Sequence, residues 1–120
     1  MAVQNARQRI DAVVSGWPGI VSGAHRFGGL EWRLGKTEIG HMHGNTQLDI
    51  VFPSKVRDEL VTSGQAQPHH IYPQIGITFT INAPADIDQA IQLLRRSYAI
   101  VQARQDRLAK HVVQHAAGSR

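Results

Sequence analysis

Between Ala6 and Trp17 the apolar residues Ile10, Val13, Val14 and Trp17 recur at helical spacing, which predicts a short amphipathic helix over 6–14. The breakers Gly16, Pro18 and Gly19 end it, and Ile20–Gly29 reads as an irregular link. From Leu30 the period falls to two. Leu30, Trp32 and Leu34 alternate with Glu31 and Arg33, and Gly35-Lys36 has the make-up of a two-residue hairpin turn. Thr37–His43 forms the next strand, Gly44-Asn45 a second tight turn, and Thr46–Phe52 the strand after it.

Two-residue turns at both places fix the register of this meander. Leu34 then faces Thr37, Arg33 faces Glu38 as a cross-strand ion pair, Trp32 faces Ile39, and His41 lies between Leu30 and Leu48. Side chains alternate across a strand. One face accordingly carries Leu30, Trp32, Leu34, Ile39, Leu48, Ile50 and Phe52 together with His41 and His43. The other carries Glu31, Arg33, Glu38, Gly40, Met42, Gln47, Asp49 and Val51.

Pro53-Ser54 opens a helix over 55–63 with Val56, Leu60 and Val61 on one side, stopped by Gly64. The polar connection QAQPHHIYPQ leads to a strand over 75–81, and Ala85 starts a long helix reaching the region of His115. Its apolar stripe, from Ile87 through Leu94, Tyr98 and Val101 to Leu108 and Val112, is longer than one small sheet can cover. The fold expected is α+β: an antiparallel β-meander plus a further strand, in the order α-β-β-β-α-β-α, with helices packed on one face. Residues 1–103 form the single domain, and 104–120 extend the last helix into a disordered tail.

A chain of 120 residues has room for one core. Without cysteine it can have neither disulfides nor thiolate metal sites. The N-terminus has no continuous apolar run of signal-peptide type, and no stretch approaches the roughly 20 apolar residues of a membrane span, so a cytoplasmic protein that meets no membrane is expected. The net charge of +4 is uneven: residues 95–120 hold six basic side chains against Asp106 alone. Because these are spread along a helix rather than clustered, they read as a solvated face, and nucleic acid is not expected as a partner. The uncovered end of the last helix suits a homodimer contact instead.

The chemistry is concentrated in seven histidines. His41 and His43, one residue apart in a strand, point the same way and present two imidazoles to one spot, the spacing by which strands offer two ligands to a metal. The register places no carboxylate on their face, so no metal ligand set and no cofactor is assigned. A pocket at the open end of the sheet, lined by these imidazoles and Trp32, is the reading adopted, with His69 or His70 closing it from the connection. Neutral imidazole suits proton abstraction from a weakly acidic small molecule. His111 and His115, four residues apart, read as surface or oligomer-facing groups. No nucleophile motif surrounds any serine, and Gly28-Gly29 precede a strand rather than a phosphate-binding helix.

The string HRFGGLEWRLGKTEIGHMHGNTQLDIVFPSKVRDELVTSGQAQPHH resembles the small bacterial luciferase-domain proteins. Their pattern is matched here by His25, Phe27, Gly28, Gly29, Glu31, Leu34, Gly35, Glu38, Ile39, Gly40, His41, His43, Gly44, Asp49, Phe52, Arg57, Asp58, Leu60, Gly64, Ala66 and His69 or His70. The resemblance spans about His25 to Tyr98. It departs at Pro73-Gln74-Ile75-Gly76-Ile77, where the family's serine and tryptophan are missing. It implies a domain related to fungal luciferases, which oxidise a hydroxypyrone with dioxygen without metal or flavin; the bacterial members have no assigned function. On the pocket reading, His41 and His43 are the expected catalytic residues, and Trp32, His69, His70 and Glu38 the expected substrate-binding ones. The reading that competes is a non-enzymatic oligomerising or nucleic-acid-binding module working through the basic helix. A weaker similarity joins the C-terminal half to YjbR-like small α+β domains.

Overall fold

The computed structural model describes residues 3–26 and 28–118, with side chains as far as 112. Phe27, Ser119 and Arg120, and the side chain of His115, lie outside it. The elements run α1 (Ala6–Val14), β1 (Ile20–Ala24), β2 (Leu30–Leu34), β3 (Thr37–His43), β4 (Gln47–Val51), α2 (Ser54–Thr62), β5 (Gln67–Pro68), β6 (Gly76–Thr80) and α3 (Ala85–Gly118). The strands form one antiparallel sheet in the order β1-β2-β3-β4-β6-β5. The fold is the α+β arrangement expected, with two strands added. β1 replaces the irregular link, and two-residue β5 sits inside the polar connection. Both are edge strands that lack the apolar alternation of a buried strand.

One face of the sheet is the core. Trp32, Met42, Leu48, Ile50 and Ile77 are buried there against Ile10 and Val14 of α1, Leu60 of α2, and Leu94 and Tyr98 of α3. Buried polar groups tie the helices down. The Trp32 indole N–H donates to Asp11 Oδ1 at 2.8 Å, and the Tyr98 hydroxyl to the Pro18 carbonyl at 2.6 Å. At Gly40 α3 packs directly on the strand, since a Cβ there would stand 2.6 Å from Leu94 Cδ2.

The register differs from alternation at one place, and the site depends on it. Arg33 pairs with Glu38 as expected, but Trp32 pairs with Gly40, so Ile39 is an extra residue in β3. The bulge turns both Ile39 and Gly40 toward the core. The Ile39 carbonyl, released from the ladder, accepts a hydrogen bond from the buried Ser97 hydroxyl of α3 at 2.7 Å. Beyond the bulge the parity is reversed: Met42 is buried in the core, and His41 and His43 emerge on the opposite face. The second turn is also longer than expected, because His43 pairs with Gln47, and His41 therefore faces Asp49 rather than Leu48. The Arg33–Glu38 ion pair does not form. Arg33 reaches Glu31 at 3.2 Å, leaving Glu38 to the histidines.

α3 docks through Ile87, Leu94, Tyr98 and Val101, and Gln105 caps the Leu34 carbonyl at 2.8 Å. Past that point Leu108 and Val112 are exposed, and the helix runs through Gly118 where a tail was expected to begin. Among the described residues no helix is long and apolar enough to cross a membrane.

Candidate functional site

The reversed parity of β3 brings His41 and His43 beside Asp49 on the face that no core residue covers. Asp49 is 1% exposed, and its partners are all side chains. Oδ1 accepts from the Thr78 hydroxyl of β6 at 2.7 Å, and Oδ2 from the Gln47 amide at 3.1 Å. Three imidazole Nε2 atoms then surround Oδ2: His41 and His43 at 3.4 Å and His69 at 3.5 Å. The Nε2 atoms of His41 and His43 are 3.1 Å apart, with their rings almost perpendicular.

Glu38 stands on the other side of His41. Its Oε2 lies 2.9 Å from His41 Nδ1 and its Oε1 3.2 Å from Nε2 of His25, whose ring stacks on that of His41 at 3.9 Å. His25 hangs from the β1–β2 turn, which closes through a bond from its own N–H to the Gly29 carbonyl. Gly29 has φ +86°, and a Cβ there would fall 2.0 Å from the Met42 carbonyl oxygen, so only glycine lets this turn lie against β3 between the two histidines.

These groups settle the protonation pattern. Burial alone would lower the His41 pKa, but hydrogen bonds to Asp49 and Glu38 and their two charges outweigh it and push it up to about 9. His41 in the metal-free protein is thus an imidazolium near neutral pH rather than the neutral base expected. Burial alone would raise Asp49, but hydrogen bonds from His41, Thr78 and Gln47 and the nearby His69 hold it well below the usual carboxylate range. His69 goes the other way. Burial pushes it down against the pull of Asp49. Its Nδ1 accepts the backbone N–H groups of Ile71 and Tyr72, each at 3.0 Å, which places the proton of the neutral ring on Nε2, toward Asp49.

Together these side chains form the floor of a cavity of about 480 Å³, with Val51, Ile71 and Tyr72 exposed at its rim and His70 stacked on His69. Of the residues expected to line a pocket, His41, His43, His69, His70 and Glu38 are brought together. Trp32 is not: it is fully buried on the far face, bound to Asp11. Asp49 and His25, matched to the family pattern but given no role in the pocket, join it. Alternation puts Asp49 on the correct face of its own strand, but opposite the wrong parity of β3. Among the described residues three clusters could hold a metal: His25, Glu38 and His41; His41, His43 and Asp49; or Asp49, His69 and His70. The ground for expecting no metal, a histidine face without carboxylates, is therefore gone.

No curated protein and no solved structure matches the chain. A family model described as Luciferase domain does match, over residues 36–97. The match takes in β3 with both histidines, Asp49, His69 and the first part of α3, through Ser97. It carries the first of the two resemblances and says nothing of the second. On a match over just more than half its length, the chain belongs to the luciferase-domain family.

Proposed function

We propose that the cavity on the histidine face binds and transforms a small organic molecule with an apolar body and an oxygen-bearing, enolisable head. The observation that carries this reading is the division of the cavity itself. Its floor is a convergent set of imidazoles around Asp49, while Val51, Ile71 and the Tyr72 ring give its rim an apolar stretch beside the exposed Arg26 and His70. A volume of about 480 Å³ falls in the range of small-molecule sites, whose usual make-up is an apolar wall with a few convergent polar groups. In this reading His43, the more exposed of the pair at 35% against 13% for His41, meets the head and takes its proton. His41, oriented by Glu38, faces the oxygen on which charge develops. Oxygenation without a cofactor, the reaction the family resemblance points to, needs a stabilised carbanion of this kind.

The test is a screen of β-dicarbonyl and hydroxyarene compounds, run in chelator on untagged protein by thermal shift and native mass spectrometry. Binding by one class, lost in His43→Ala and weakened in Tyr72→Ala, is expected. No binder, or binding indifferent to both substitutions, contradicts the reading. A second reading, self-association through the distal half of α3, is favoured by the exposed Leu108 and Val112. A dimer in light scattering that becomes a monomer on truncation after Ala103 would support it.

A further inference from the structure

The same floor carries an inference that needs no organic ligand. We propose that His41 Nε2, His43 Nε2 and Asp49 Oδ2 form a site for one divalent first-row transition ion, positioned by Glu38 and Thr78 and open to the cavity on its remaining coordination positions.

The three atoms form a triangle with sides of 3.1, 3.4 and 3.4 Å. Metal–ligand bonds of about 2.0–2.2 Å imply an edge of roughly 3.3 Å in a tetrahedral site and roughly 3.0 Å in an octahedral one. The observed triangle sits near the tetrahedral value. Two nitrogens and a carboxylate oxygen at these separations are held together by a shared proton in the metal-free protein, and a cation can take its place. Two imidazoles and one carboxylate with open positions is a donor set typical of reactive rather than structural metal centres.

The surroundings complete the site. Glu38 Oε2 can accept a hydrogen bond from His41 Nδ1–H at 2.9 Å, which leaves the Nε2 lone pair for an ion, the carboxylate–histidine–metal arrangement common around metal centres. The Thr78 hydroxyl fixes the other Asp49 oxygen at 2.7 Å. His69 directs its Nε2–H at Asp49 and has its Nδ1 occupied by two backbone donors, so it supports the carboxylate and is not a ligand.

Ring geometry decides against the other two clusters. His25 and His41 lie stacked, 15° from parallel, as do His69 and His70 at 12°. In-plane lone pairs of parallel rings do not converge on one ion. His41 and His43, at 89°, can do so. An ion held there would take the place of the proton between the imidazoles and occupy His43 Nε2, so that His43 serves as base in the metal-free protein alone, and the open positions of the ion would polarise an oxygen of whatever the cavity binds.

The probe is cobalt(II), with zinc(II) as competitor, titrated into untagged, chelator-treated protein while visible absorbance is followed. One equivalent should bind with the intense bands of four- or five-coordinate cobalt, and zinc should displace it. Glu38→Gln should weaken binding by about 10–100-fold, as loss of an outer-shell partner does, and His43→Ala by more. His111→Ala, on the exposed end of α3, should leave it unchanged. Affinity unaltered in both His43→Ala and Glu38→Gln, or lost equally in His111→Ala, overturns the site, as does binding no tighter than millimolar. Circular dichroism of each variant separates a lost site from a lost fold. An organic ligand that binds in chelator while cobalt fails refutes the metal alone, and the converse refutes the organic-ligand reading alone.

Discussion

The two faces of β2–β4 are made by alternate residues of the same strands, yet they do opposite things. On one, Trp32, Met42, Leu48 and Ile50 are sealed under three helices, and the polar groups admitted there, Asp11 and Ser97, serve to dock those helices. On the other, His41, His43 and Asp49 form a dense polar cluster under an open cavity. A buried carboxylate ringed by imidazoles is a poor way to stabilise a fold, because desolvation offsets much of the attraction. The comparison teaches that stability and chemistry are separated by one sheet thickness, and that the Ile39 bulge decides which side chain goes to which side.

Substitutions on the closed face should cost most. Leu94→Ala, which empties a fully buried position packed on Gly40, should lose about 2–5 kcal/mol in urea unfolding and leave the polar face intact in whatever fraction stays folded. Gly29→Ala tests the connection between the faces. With a positive φ and a clash against the Met42 backbone, it should lose about 3 kcal/mol and also weaken cobalt binding, because the displaced segment carries both histidines. A variant that loses stability and keeps full cobalt affinity would show that the turn does not place them. Ser97→Ala leaves the Ile39 carbonyl without its partner and should cost about 1–3 kcal/mol. Since that hydroxyl lies on the core side, a fall in cobalt affinity beyond the loss in folded fraction would tie the bulge to the site.

The smallest effect is on pH dependence in chelator. His41 is raised from 6.5 to about 9, so its contribution is complete below about 6.5 and fades as pH rises through about 9. Asp49 is lowered from 3.8, so its contribution is present above that value and is lost as pH falls further. The melting temperature of the metal-free protein should therefore be highest between these limits. The alkaline decline should shrink in His41→Ala; an unchanged decline would assign it elsewhere.

Much of this was legible in the sequence. The spans of α1, β2, β3 and α3 follow from period and breakers, and HxH in a strand brings two imidazoles together however the strand is turned. What could not be read was parity. Ile39-Gly40 looks like one more step of alternation, and only the close approach of Leu94 and the Ser97 hydroxyl shows that both residues face inward. The sequence did hold a sign of the slip: alternation sent Met42 to solvent and two histidines into the core, and reversing β3 after Ile39 cures both. β1 and β5 escaped because edge strands need no apolar rhythm. Asp49 escaped because a carboxylate on a strand becomes informative only once its neighbour across the ladder is known.

The most direct test of the separation is His43→Ala, with unfolding free energy measured in chelator and cobalt binding measured on the same preparation after the chelator is removed. The account predicts stability within about 1 kcal/mol of the parent protein and binding largely lost. A loss of stability comparable to that of Leu94→Ala, with binding retained, would make the histidines part of the packing and contradict it.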